Sequence, residues 1–147
     1  MGVVVAGLAA AVAAISSWAD LPGVPTDVTK SAASEHVHIL TEARNASPGN
    51  DWENTYVLLS ATSTDSPVAD IEKTLRSAGW NIHRHGGDGD GLLLSGDFPT
   101  KLPKYGVSVK NYNDFNCLDT PEVCDEFEKA ARDHDRELFV AVFMPYV

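Results

Sequence analysis

Two histidines and two aspartates lie within a stretch of eight residues, and they are the side chains of this sequence best placed to do chemistry. They are His83, His85, Asp88 and Asp90. In a β-strand, residues two apart point to the same face, so the two imidazoles should lie side by side. A His-x-His pair with a nearby carboxylate is the minimum ligand set for zinc or copper. The spacing therefore raises the hypothesis of a metal-binding site.

The same stretch is also typical of a tight β-turn. Residues 86–91 read Gly-Gly-Asp-Gly-Asp-Gly, and Asp-Gly and Gly-Gly pairs take the positive-φ positions of hairpin turns. An EF-hand calcium loop does not fit, because it needs ligands at its fifth and twelfth positions, and counted from Asp88 these are Leu92 and Pro99. We therefore predict a plain hairpin with solvated histidines and no cofactor, and keep zinc or copper binding as the alternative.

Cys117 and Cys124 are the only cysteines of the chain. An even cysteine count beside an export-like N-terminus favours one disulfide between them. Two free thiols, one of them buried on a helix, are the alternative. A zinc site at the cysteines needs two more ligands, and the segment between and around them offers mainly carboxylates.

The N-terminal segment from Met1 to Ala19 contains no charged side chain, and Val3–Ile15 is apolar throughout. A membrane-spanning helix needs about 20 apolar residues, which this segment just reaches. A secretory signal cleaved near Ala19 is a second interpretation, since Ser17-Trp18-Ala19 fits a small-x-small cleavage site, and a buried core helix is a third. We expect a single-pass membrane protein with an extracytoplasmic C-terminal domain, or a secreted domain after cleavage.

The remaining sequence divides into three segments. Residues 20–27 contain two prolines and a glycine and indicate a linker, and residues 28–46 repeat apolar side chains at helical spacing and indicate a helix. Residues 54–147 alternate strand and helix signals in the order β-α-β-β-β-α-β, which indicates an α+β domain. The order matches a ferredoxin-like split β-α-β pattern with one added strand. We expect the helices to cover one face of a mainly antiparallel sheet.

One run of the sequence resembles a group of known proteins. "SPVADIEKTLRSAGWNIHRH", residues 66–85, is similar to the strand–helix–strand segment of many small exported or membrane-anchored bacterial proteins, which place Gly-Trp between the helix and the following strand. The resemblance covers residues 55–95 and implies the location and the fold. Because these proteins have no assigned activity, it implies no catalytic residue.

The charge of the chain limits its partners. It carries 21 acidic against 11 basic side chains, a formal net charge of −10, so it repels phosphate backbones and nucleic-acid binding is disfavoured. Nine acidic and three basic side chains lie between Asp114 and Glu137. This segment indicates either a solvated helix face or a docking surface for a basic protein partner.

No catalytic motif is present in the sequence. It lacks a Gly-x-Ser-x-Gly nucleophile elbow, a His-Glu-x-x-His helix and a phosphate-binding glycine loop. We therefore expect a non-enzymatic accessory or binding module, anchored to the membrane by its N-terminal helix and facing away from the cytoplasm. An exported zinc- or copper-binding protein that uses the His83/His85 hairpin is the alternative.

Overall fold

The structure is a computed structural model that describes residues 22–46, 52–62, 65–87, 89–98, 104–116, 120–134 and 136–145. In these ranges the chain forms three α-helices, which are α1 (Thr26–Thr29), α2 (Pro67–Ser77) and α3 (Pro121–Ala131). Short 3-10 turns follow α1 (Lys30–Ala32) and precede α3 (Tyr112–Asp114). The strands are β1 (Val37–Asn45), β2 (Asn54–Ala61), β3 (Asn81–Arg84), β4 (Leu92–Phe98), β5 (Tyr105–Asn111) and β6 (Leu138–Pro145).

The strands form one six-stranded antiparallel sheet in the order β1-β2-β6-β5-β4-β3. The α+β class is confirmed, and so is the predicted element order from β2 to β6. The ferredoxin-like topology is not confirmed. β2 and β3 run parallel to each other, as in a split β-α-β unit, but three strands lie between them. Helix α3, which is the second helix in the predicted β-α-β-β-β-α-β order, joins β5 to β6, and these two strands are antiparallel neighbours.

Helices cover both faces of the sheet, so the expectation that they cover one face is wrong. Val57 and Leu59 of β2 lie in the core cluster that contains the buried side chains of α2. The alternate residues Tyr56 and Leu58 lie in a second cluster with those of α3. Successive residues of a strand point to opposite faces. The uninterrupted apolar runs of β2 and β6 are therefore the signature of strands buried on both sides.

The predicted helix over residues 28–46 is wrong, because nine of these residues, Val37–Asn45, form strand β1. The 3-10 turn ends at Ala32, and the Oγ of Ser34 then accepts hydrogen bonds from the backbone N–H groups of His36 and Val37, at 3.1 and 3.2 Å. These bonds turn the chain out of the helix. β1 pairs with β2 along its length, and such long-range pairing outweighs the local helical spacing of apolar residues.

The predicted linker, residues 20–27, belongs to the domain where it is described. Val24 is only 1% exposed and lies in the larger core cluster. The backbone N–H of Glu53 donates to the carbonyl of Pro22 at 2.8 Å, and α1 already begins at Thr26. This part of the chain is therefore fixed to the start of β2 and is not a free hinge. The apolar segment 1–19 lies outside the described residues.

We expect removal of residues 1–21 to leave the melting temperature of the domain unchanged, and removal of residues 1–25 to lower it. The longer truncation deletes Val24, and the burial of a valine side chain contributes about 1.5–3 kcal/mol. Calorimetry of the two truncated chains measures the difference. Val24→Ala in the shorter truncation is the matched control and should reproduce part of the loss. Equal melting temperatures in all three chains would show that Val24 contributes nothing to the core.

Candidate functional site

The turn between β3 and β4 depends on glycine. Gly87, Gly89 and Gly91 have φ angles of 78°, 69° and 83°, in the left-handed region that other residues enter only with strain. At Gly91 a Cβ atom would also lie 2.8 Å from the Cβ of Asp114. The two strands are antiparallel neighbours, and the N–H of His85 extends their pairing into the turn. The hairpin prediction is confirmed.

The side chains that β3, β4 and β5 present on the face opposite α2 form the candidate site. We call this surface the histidine face, and it consists of His83, His85, Ser95, Asp97 and Ser108. His83 lies opposite Ser95, which in turn lies opposite Ser108. The Nε2 of His85 is 2.7 Å from the Oγ of Ser95. The two exposed imidazoles therefore both lie next to one serine, His83 directly opposite it and His85 diagonal to it, on the same face of the hairpin, as their spacing predicts.

The predicted metal ligands do not converge in the described part of the chain. Asp90 turns away, since its Oδ1 accepts a hydrogen bond from the N–H of Leu92 at 3.3 Å and its Oδ2 lies 3.6 Å from the Nζ of Lys110. Asp88 lies outside the described residues. Among the residues that are described, no group of three or more His, Cys, Asp or Glu side chains is arranged to hold a metal ion.

Three members of the histidine face, Ser95, Asp97 and Ser108, are not predicted from the sequence, and Asp97 is the charged one among them. It lies two residues after Ser95 in β4, so both side chains point to the same side of the sheet, and both line the depression beside His83. The signal available in the sequence was the polar alternation of Ser95 and Asp97 in a strand whose other face is apolar. Such alternation indicates a strand with one solvated face.

The histidine face is open because α3 does not extend over this half of the sheet. The cluster beneath α3 is formed by residues of β1, β2 and β6 together with aromatic side chains near the end of β5. Over β3, β4 and the start of β5, small residues such as Ser95, Gly106 and Ser108 leave a depression of about 340 Å³ between His83 and Met144. It is shallow and open to solvent on the described surface.

The chemistry available on this face is hydrogen bonding and imidazole coordination. The 2.7 Å contact between His85 and Ser95 matches a nucleophile–base pair in distance. A catalytic pair also needs a third group that orients the base, and among the described residues no acidic side chain hydrogen-bonds to His85.

On the opposite face of β3, ion pairs connect the hairpin to α2. The Oε1 of Glu72 lies 2.7 Å from the Nη2 of Arg84, and its Oε2 lies 3.1 Å from the Nη2 of Arg76. Arg76 also donates to the carbonyl of Ile82 at 2.6 Å. Burial raises the pKa of Glu72, but the hydrogen bonds and positive charges of both arginines outweigh it, so the pKa lies below its ordinary value of 4.5.

A second depression, of about 400 Å³, lies between the 3-10 turn after α1 and helix α2. Three of its polar side chains, Ser31, Ser34 and Thr74, make hydrogen bonds within the fold. The Oγ of Ser34 is 2.8 Å from the Oγ1 of Thr74, and the indole N–H of Trp80 donates to the Oγ of Ser31 at 2.8 Å. These contacts hold α1, β1 and α2 together, and we assign the depression a structural role.

Two further expectations concern α3 and its surroundings. Cys124 on α3 is disulfide-bonded, whereas Cys117 lies outside the described residues, so the Cys117–Cys124 pairing stays a prediction. Glu122, Asp125 and Glu126 are exposed on the same helix. Their carboxylates form a solvated acidic surface, and a protein partner for it also stays a prediction.

No helix in the described ranges is long and apolar enough to cross a membrane. Comparison with known proteins gives no relative: no protein-family model, no curated protein and no solved structure matches the chain.

The ion pairs of Glu72 should make the stability of the protein depend on pH. Because the pKa of Glu72 is lowered by folding, its contribution is fully present above the unfolded value and is lost as the pH falls through the folded value. Urea unfolding at pH 7 and pH 3 should show Glu72→Gln less stable than the wild type by about 0.5–1 kcal/mol at pH 7, and nearly equal to it at pH 3. When Arg84→Gln is also present, the difference in unfolding free energy at pH 7 between the proteins with and without Glu72→Gln should become smaller, because one of the two ion pairs is already lost. A gap that stays the same at both pH values would contradict this account.

Proposed function

We propose that this chain is an extracytoplasmic, membrane-anchored accessory or binding module without enzymatic activity, and that the histidine face is its binding surface. Two observations support the location. The uncharged segment Met1–Ala19 has the length of a membrane anchor. Cys124 is disulfide-bonded, and disulfides persist in oxidising compartments outside the cytoplasm.

The observation that carries the binding role is the uncovered half of the sheet. A helix covers the other half on this side, whereas His83, Ser95 and Ser108 form a solvent-facing row of hydrogen-bonding groups across three strands. Small-molecule sites usually enclose most of their ligand. This depression is shallow and open, so a polar segment of a protein partner fits it better than an enclosed small ligand. The net charge of −10 argues against a nucleic-acid partner.

Cysteine labelling of intact cells that express the full chain tests both the location and the surface. Ser108→Cys lies on the histidine face, and Glu126→Cys lies on exposed α3 as the matched control. We expect a membrane-impermeant, photoactivatable thiol reagent to label both variants without permeabilisation, because both positions belong to the domain outside the membrane. On illumination, only the reagent at position 108 should cross-link a partner protein.

This experiment can contradict the extracytoplasmic location and the binding surface independently of each other. If both cysteines react only after permeabilisation, the extracytoplasmic location is wrong. If both react but the cross-link forms only from position 126, the acidic surface of α3 is the docking surface and the histidine face is not.

Metal binding is the second candidate function, and one observation favours it. His83 and His85 both lie beside Ser95 on one solvent-facing surface, and two imidazoles so placed suit zinc or copper. Asp97 lies on the same face, while Asp90 already contacts Lys110. Two imidazoles with water completing the coordination would bind such an ion more weakly than a closed four-ligand site.

Calorimetric titration of the full chain with zinc and copper salts tests this candidate. The variant His83→Ala/His85→Ala should abolish binding, whereas the control His36→Ala/His38→Ala should retain it, because those histidines lie on β1 and the turn before it. Binding should weaken in acid, since only the neutral imidazole ligates. An absence of binding heat at neutral pH for both metals would exclude the metal function.

A further inference from the structure

β1 is the edge strand of the sheet, at the opposite end from the histidine hairpin. Its register with β2 shifts between Ile39 and Thr41, which is a β-bulge. From Thr41 to Asn45 the register is regular. In the described part of the chain, β2 is the only strand that pairs with β1. The backbone N–H and C=O groups along the outer side of β1 are therefore a template for one more strand.

Natural edge strands are protected by bulges and charged residues, and β1 is protected only in part. The bulge distorts the strand before Thr41, but not after it. Glu42 and Arg44 lie two residues apart, so their side chains point to the same face, and both residues are exposed. Among the described residues, Arg44 makes two long polar contacts, 4.0 Å to the Oε1 of Glu53 and 3.3 Å to the Oγ1 of Thr26.

Opposite charges two residues apart make this segment complementary to itself. When two copies pair antiparallel about a twofold axis through Ala43, Glu42 of each copy lies opposite Arg44 of the other. Thr41 then lies opposite Asn45. Antiparallel pairs alternate between hydrogen-bonded and non-hydrogen-bonded types, and a twofold axis can pass through either type. The proposed pairing is therefore possible whether the two Ala43 residues form a hydrogen-bonded or a non-hydrogen-bonded pair.

From this complementarity we infer that the protein forms a symmetric dimer through residues Thr41–Asn45 of β1. The two sheets join into one continuous antiparallel sheet, in which two Glu42–Arg44 ion pairs fix the register. The interface is separate from the histidine face, so dimerisation leaves both copies of that surface accessible. The occupant of the edge is a second copy, and not an extended segment of another protein, because the segment complements its own charges.

Charge reversal tests the pairing, with the full chain in detergent and its mass followed by sedimentation over a concentration series. Glu42→Arg and Arg44→Glu each turn two attractive pairs into repulsive ones, so each should weaken dimerisation by roughly tenfold or more. An equimolar mixture of the two variants should recover the dimer. In the mixture, a copy with two arginines faces a copy with two glutamates.

Recovery of the dimer in the mixture would show that the single variants are folded and that specific charge pairs hold the dimer together. The two single variants also separate the effect of these pairs from the effect of the overall net charge. Glu42→Arg changes the net charge from −10 to −8 and Arg44→Glu changes it to −12. General repulsion would therefore strengthen association in the first variant and weaken it in the second, whereas paired charges weaken both. The double variant Glu42→Arg/Arg44→Glu should dimerise as the wild type does. A wild-type chain that is monomeric at every concentration, or a dimer that neither single substitution affects, overturns the inference.

Discussion

The two-sided burial of the central strands is the constraint on which the rest of the structure depends. Leu58 and Leu59 of β2 are both fully buried, although they point to opposite faces, and so are Phe139 and Ala141 of β6 on one side with Val140 on the other. Such strands are stable only if each face of the sheet is covered. Helix α2 covers one face and α3 the other. The segment around Val24 and α1 completes the first cover, which explains why it is part of the domain.

Helix α2 and its core cluster cover more of the sheet than α3 does. The histidine face is the part of the sheet that α3 leaves uncovered. The cluster under α2 reaches Ile82 of β3 and Leu94 of β4, and it includes Trp80, whose ring lies 5.2 Å from that of Phe98 and 5.5 Å from that of Phe143. Among the described residues, apolar packing thus holds β3 and β4 from this side alone. Their other face needs no apolar residues and carries imidazole and hydroxyl groups. A surface of this kind is available for binding without cost to the core.

The sequence predicts those features of the fold that depend on local chemistry. The glycines of residues 86–91 predict the hairpin, because glycine adopts the positive φ angles of that turn without strain, and the order of elements from β2 to β6 follows from local periodicity. The apolar residues of β1 also fit helical spacing, so the sequence predicts a helix there, and only the pairing of β1 with β2 decides between helix and strand. The apolar runs of β2 and β6 did contain the signal for helices on both faces.

In the candidate site too, the sequence predicts what depends on local spacing and does not predict what depends on strand pairing. That His83 and His85 share a face follows from their spacing, and the structure places both beside Ser95. That Asp90 does not join them could not be predicted, because its partner Lys110 comes from β5, twenty residues further along the chain. Asp97 enters the site through strand pairing, so it too depends on the sheet and not on the local motif.

The strand directions decide how an anchored domain presents its surfaces. Glu53, which binds Pro22, directly precedes β2, and β2 runs parallel to β3, so both strands start at the same end of the sheet. The glycine turn follows β3 and lies at the opposite end. On the proposed anchoring, only Asp20 and Leu21 separate the apolar segment from Pro22, which keeps the start of β2 near the lipid. In the proposed dimer the twofold axis is perpendicular to the joined sheet and reverses the strand direction, so the start of β2 in both copies lies near one membrane only when the joined sheet lies parallel to the lipid surface.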